Sequence, residues 1–341
     1  LLREGRVVAV KGLGGYHLAC DAASDAALTT LRERKGRIDK PFAVMARALA
    51  AARAIAEIDS DERTLLEGRE RPIVLLKAVA NSPLSTLVAP GNDSIGVMLP
   101  YTPLHLLLLR DFGRPVVATS GNRADEPICI DEREARERLD GIADLFLVHD
   151  RPIVRHVDDS VARMVQGRAL LLRRSRGYAP WPIPLPTPAP AIVATGAHLK
   201  STVAITAGAS IVVSQHIGDL TTSRASEAFH AALQSLEGLY HVTPAFVAVD
   251  LHPDYRSTRY GRALGLPVAG VQHHYAHLAA CMADNDLTGP MLGAIWDGSG
   301  VDTLDASQVV TASFIDLRPG HFSAIGEHQA TLAARDRDRV R

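Results

Sequence analysis

Cysteine is scarce in this chain: Cys20, Cys129 and Cys281 are the only three in 341 residues, and none forms a C-x-x-C pair. That spacing excludes a disulfide framework and a zinc finger built within the sequence, and free thiols suit a reducing compartment. An excess of one charge is missing too. With 37 basic residues against 38 acidic ones, no global field points to nucleic acid or membrane. No apolar run reaches the length of a membrane span. The opening Leu1 to Val10 carries Arg3, Glu4 and Arg6 where a signal peptide would be apolar. The expected location is therefore cytoplasmic, with no membrane partner. There is no initiating Met, and the expectation is a piece of something longer. No internal repeat appears, and one proline-rich segment is the only low-complexity tract.

What is present is enough apolar residue, 47%, for more than one core, and at 341 residues two domains are the natural prior. The sharpest boundary is Tyr178 to Pro190, with prolines at 180, 182, 184, 186, 188 and 190. Such a segment reads as an extended, semi-rigid connector. It divides the chain into 1–178, a linker at 179–190, and 191–341. Before it, Arg6 to Val10, Ile73 to Lys77, Pro115 to Thr119, Leu145 to Val148 and Leu170 to Arg173 read as short buried strands. Helical patterns cover Ala22 to Arg34, Phe42 to Ile58, Leu104 to Arg110 and Glu132 to Leu139. After it, strands are expected at Ala191 to Ala194, Val203 to Thr206, Ser210 to Val213, Phe246 to Val249 and Met291 to Trp296, and a long helix at Ser223 to Tyr240. Irregularly mixed strands and helices make an α/β fold with twisted sheets.

Chemistry concentrates in a few places. Lys11-Gly12-Leu13-Gly14-Gly15 follows a strand, so backbone N–H groups there can approach an anion, although a plain turn explains the glycines equally well. Lys35-Gly36-Arg37 ends a helix, where cations suit the macrodipole or clamp a phosphate. Thr119-Ser120-Gly121-Asn122 closes a strand with groups able to recognise a nucleotide or to cap a turn. Basic residues gather again around Arg151, Arg155 and Arg173 to Arg176. That is either a solvated charge run or a surface awaiting an anion. In the second half, Gln272 to His277 opens an alanine-rich segment. Helical spacing puts His273 and His277 on one face, one turn apart, as two ligands of a transition metal. Asp297, in Trp296-Asp297-Gly298-Ser299-Gly300, is a third candidate. His274 points about a third of a turn away and is assigned packing or a supporting hydrogen bond.

Several long motifs resemble one family in one order. K-G-L-G-G-Y-H-L-A-C-D-A, K-G-R-I-D-K-P-F-A-V-M, T-S-G-N-R-A-D-E-P-I, D-D-S-V-A-R and R-R-S-R-G-Y-A-P are similar to the YrdC-like domain of the HypF-type hydrogenase-maturation carbamoyltransferases. T-G-A-H-L-K-S-T, S-Q-H-I-G-D-L, D-L-H-P-D-Y-R-S-T and V-Q-H-H-Y-A-H-L-A-A-C-M-A-D are similar to their Kae1-like domain, of the actin/sugar-kinase type. The resemblance implies a carbamoyl-adenylate made from ATP, with Mg, and carbamate or carbamoyl phosphate as donor. Lys35 and Arg37 would act on the phosphates and carbamate. Lys11, Ser120, Asn122, Ser160, Arg174 and Arg176 would line the nucleotide cavity. In the second domain Thr195, Gly196 and Lys200 would form a phosphate turn. His273, His277 and Asp297 would hold iron or zinc. The acceptor would be the C-terminal cysteine thiol of a HypE-type protein, whose thiocarboxamide later supplies cyanide ligands.

The sequence lacks the family's acylphosphatase domain, its cysteine-rich zinc modules and the second Kae1-like lobe, and it is atypical from about residue 301. Hydrolysis of carbamoyl phosphate is therefore not expected of it, and only partial activity is. Alternatives are tRNA threonylcarbamoyl-adenylate synthesis, which needs no second domain, antibiotic O-carbamoylation, which uses the reverse domain order, and a double-stranded-RNA-binding module.

Overall fold

A computed structural model describes residues 1–124, 126–287, 291–295 and 312–316. Nine strands form the first sheet: β1 (Val8–Lys11), β2 (Tyr16–Asp21), β3 (Ala43–Met45), β4 (Ile73–Lys77), β5 (Ser94–Met98), β6 (Val116–Ser120), β7 (Leu145–Leu147), β8 (Val161–Val165) and β9 (Arg168–Arg173). Their order is β7-β1-β2-β6-β3-β5-β4-β8-β9. β3 pairs parallel with β5 and antiparallel with β6, so Val44 lies in the middle of the sheet, fully buried. The Ala-rich stretch from Phe42 to Ile58 was expected to be one helix. Burial between two strands overrides that propensity at Ala43–Met45, and the helix is confined to Leu49–Arg53. Tyr16, Leu18, Leu28, Leu31, Phe42 and Leu76 fill the main core.

Close packing demands glycine at positions 14 and 121, among others. A Cβ on Gly14 would meet the Val157 carbonyl oxygen at 2.3 Å, and one on Gly121 the Tyr16 carbonyl oxygen at 2.7 Å. Backbone bonds run through the same contacts, from Val157 N–H to Gly14 and from Gly121 N–H to Tyr16. The glycine-rich turn after β1 is thereby packed against the segment that precedes β8.

The second sheet contains β10 (Pro182–Pro184), β11 (Ile192–Ala194), β12 (Ala204–Thr206), β13 (Ser210–Val213), β14 (Phe246–Asp250) and β15 (Val268–Val271), in the order β10-β13-β12-β11-β14-β15. The helix Ser223–Tyr240 covers it with Phe229, Leu233 and Leu236 against Val193, Ile205, Val212 and Val247. The proline segment is more than a connector. Pro182–Pro184 pairs antiparallel with β13, and the Leu185 N–H continues that pairing to the Ala209 carbonyl at 2.8 Å. Residues Leu1–Ala269 form one compact unit, and the chain from Gly270 forms another. The latter holds the helix His273–Asp284 and the parallel pair Met291–Ile295 and Ala312–Asp316. Among the described residues no helix is long and apolar enough to cross a membrane.

Candidate active site

The helix Asp25–Lys35 starts on a Ser24 cap and stops at Gly36, whose φ of 62° suits glycine. This stop puts Lys35 and Arg37 on either side of a tight turn. The buried Arg32 holds the turn from below, donating to the carbonyls of Arg37 at 2.9 Å, Ile38 at 2.7 Å and Leu87 at 2.6 Å. The Arg32 and Arg37 guanidinium groups each lie 4.7 Å from the centre of the Phe42 ring. Nothing in the sequence singled out Arg32, since its helical position reads as one more charge in a basic turn.

Lys35 Nζ reaches the loop after β6, donating to Ser120 O at 2.6 Å, Asn122 O at 2.9 Å and Asn122 Oδ1 at 2.9 Å. Ser120 Oγ donates to Asn122 Oδ1 at 2.7 Å. Arg37 donates to Thr119 Oγ1 at 3.0 Å. The structure thus brings together four of the expected residues, Lys35, Arg37, Ser120 and Asn122. Burial, and next the charge of Arg37, push the Lys35 amine down to about 7, while burial and the charge of Arg32 lower Arg37 to about 10. Arg173 adds to the positive field at Arg37, and Asp158, which accepts from Arg173 at 2.8 Å, only partly offsets it. Crowded cations in a recess are what an anionic ligand would relieve.

Ser160 and Arg176 are both engaged in a network of protein partners next to β2. Arg176 is buried and donates to Asp159 at 2.9 Å, Glu70 O at 2.9 Å and Arg71 O at 2.8 Å, with its guanidinium 3.5 Å from the Tyr101 ring centre. Asp159 meets His17 Nε2 at 2.9 Å on its other oxygen. Ser160 Oγ accepts from Ser175 N–H and donates to Arg176 O. These residues are the frame that fastens the D-D-S and R-R-S-R-G segments to each other and to His17 on β2. Desolvation raises and the partners His17 and Arg176 lower the Asp159 carboxyl, and the partners prevail, holding it well below the usual range. Burial pushes the His105 imidazole beside it down to about 3. A sequence offers no sign that a motif arginine faces inward, and the neighbouring aspartate was the available clue. Lys11 is also buried, with Nζ on His149 O at 2.8 Å, just beyond β7. Arg174 donates to Trp181 O at 3.1 Å, and its own carbonyl accepts the His216 N–H at 3.0 Å.

In the second sheet, Thr195 is fully buried and bonded to Ala248 O, and Gly196 has φ 65°. A Cβ on Gly196 would lie 2.3 Å from Thr202 O. Lys200 donates its backbone N–H to Asp219 Oδ1 at 2.6 Å. The turn is therefore preformed, its backbone fixed by the H-I-G-D-L segment.

In the helix His273–Asp284, His277 Nε2 and His273 Nε2 lie 3.1 Å apart, as the spacing anticipated. His274 instead meets the Gln272 side chain. Asp297 lies outside the described residues. Among the described residues no group of three or more potential ligands is assembled.

Against known families, residues 1–175 match the Sua5_yciO_yrdC family, described as telomere recombination, and residues 187–284 match the HypF Kae1-like domain. The carbamoyltransferase HypF of Synechocystis is 49% identical over 301 residues, covering 88% of this chain and 39% of that protein. The carbamoyltransferase HypF of Rhizobium leguminosarum is 45% identical over 309 residues, covering 89% and 41%. Among solved structures, full-length HypF in a phosphate- and nucleotide-bound form superposes with TM-score 0.86 at 42% identity, over 95% of this chain and 51% of that one. The chain spans about two fifths of the length of these curated relatives.

Proposed function

Because the chain belongs to the HypF carbamoyltransferase family, we propose that its first domain joins carbamate to AMP and its second takes part in passing the carbamoyl group to a protein thiol. The observation that carries this reading is the paired Lys35 and Arg37 turn, clamped to Ser120 and Asn122, with its cations held below their ordinary pKa values. A carbamate oxygen attacks the α-phosphorus of ATP, the bond to the β-phosphate oxygen breaks, and pyrophosphate leaves. Negative charge grows on the phosphoryl oxygens as that happens. Lys35 and Arg37, fixed before the ligand arrives, stabilise it without reorganising. Ser120 and Asn122 hold the adenylate.

In the second domain Thr195, Gly196 and Lys200 form the turn that receives phosphate. Two imidazole nitrogens 3.1 Å apart fit the ligand separation of roughly 3.3 Å that a tetrahedral zinc-type ion imposes. His273 and His277 would hold the iron or zinc ion, with Asp297 as a further ligand. Such an ion supplies Lewis acidity toward the carbamoyl oxygen. The acceptor is the C-terminal cysteine of a HypE-type partner. Its thiolate sulfur bonds to the carbamoyl carbon, the carbon–oxygen bond to AMP breaks, and AMP departs.

The test is ATP–pyrophosphate exchange with carbamate or with threonine plus bicarbonate. Exchange dependent on carbamate alone is expected. Exchange that requires threonine would replace this reading with threonylcarbamoyl-adenylate synthesis.

A further inference from the structure

Arg224 stands in the first turn of the helix Ser223–Tyr240, where the positive end of the helix dipole disfavours a cation. Its guanidinium reaches out of the second domain to Glu134, on the helix Glu132–Arg138 of the first. Glu134 Oε1 lies 3.6 Å from Arg138 Nε, and Arg138 pairs in turn with Glu126. The Glu126 carbonyl accepts from Asn122 Nδ2 at 2.6 Å, and Asn122 is the residue that accepts twice from Lys35. The side chains of Arg138, Glu126 and Glu134 are 15%, 21% and 26% exposed, sheltered enough for ion pairs to count for more than they do on an open surface. A continuous polar chain therefore leads from the second domain to the proposed adenylation site.

We propose that Arg224 is a positioning residue for adenylation. Through Glu134 and Arg138 it holds Glu126, and through Glu126 the Asn122 amide, in the orientation that meets Lys35 and the nucleotide. This rests on the adenylation reading and extends it, since it makes the second domain part of the first domain's site. An isolated first domain would have the catalytic cations and lack the brace that aligns their partner.

The experiment uses the full chain with Arg224→Glu, Glu134→Arg and the double variant that swaps the pair. Two readouts are taken: exchange kinetics with ATP and carbamate, and amide hydrogen exchange over residues 121–129. Each single variant should raise the KM for ATP about tenfold with a smaller change in kcat, and should loosen protection of the Cys129 amide, which bonds Gly121 O. The double variant should be no worse in either readout than Glu134→Arg alone, because both changes break the same chain of contacts and position 134 can no longer pair with Arg138. Unchanged protection in the single variants, or losses that simply add in the double, would overturn the proposal. Arg224→Ala serves if a charge-reversed variant fails to fold, and should shift both readouts in the same direction. If wild type exchanges no pyrophosphate, the adenylation reading fails by itself, while the hydrogen exchange still decides whether the brace exists.

Discussion

Replacing Lys35 with Ala should separate chemistry from folding. The amine's drop from an ordinary 10.5 to about 7 corresponds to roughly 5 kcal/mol disfavouring the charge, reduced where the side chain still meets solvent. Against this stand hydrogen bonds to Ser120 O, Asn122 O and Asn122 Oδ1, each contributing about 1–1.5 kcal/mol. The two nearly cancel, so Lys35→Ala should alter unfolding free energy by less than about 2 kcal/mol. Pyrophosphate exchange should fall by roughly 100- to 1000-fold, because a fixed cation at developing charge has been removed. There is also a pH signature. Between about 7 and 10.5 the unfolded chain holds a proton that folded Lys35 has released, so wild-type stability should gain from this group as pH rises through that window. Below about 7 the penalty is present in full. The variant should lack the component altogether. Urea unfolding at a series of pH values, beside exchange kinetics, makes the comparison. Equal losses of stability and exchange would show that Lys35 serves the fold, and exchange at the wild-type rate would refute the assignment outright.

ATP binding should be accompanied by proton uptake above about pH 7, because phosphate restores the charge on Lys35, and calorimetry in buffers of different ionisation enthalpy would detect it. Asp159→Ala should cost about 3–5 kcal/mol in urea unfolding by leaving Arg176 buried without its carboxylate. The stability that Asp159 provides should persist above the ordinary carboxylate range and disappear as pH falls below it, a loss that the variant should not show. Zinc titration should find weaker binding in His273→Ala and His277→Ala than in His274→Ala, and equal affinity in all three would place the metal elsewhere.

The legible parts of this chain were those in which local pattern and final packing agree. Ser223–Tyr240 and Ile73–Lys77 could be read residue for residue, because apolar spacing and the flanking residues mark both elements without tertiary help. The Lys35 turn was legible because Gly36 stops a helix just where the cations stand. Ala43–Met45 was not, since only the strands on either side make an alanine-rich segment extend. Nor was the inward turn of Arg176. An arginine beside other arginines reads as surface charge until His17, Asp159 and Tyr101, distant in sequence, close around it. Arg224 and Glu134 are 90 positions apart and carry no motif at all.

The alternate prolines of the connector have a consequence for how this molecule meets its neighbours in a crowded solution. In an extended strand successive residues direct their backbone groups to opposite sides. The Leu185 N–H points toward β13, so the nitrogens of Pro182 and Pro184 point away from the sheet. Those nitrogens carry no hydrogen. The outer border of the second sheet at this strand consequently offers carbonyl oxygens with no donors among them, and a stray strand from another chain finds only half the bonds it needs. The same proline segment thus makes that border a poor template for aggregation.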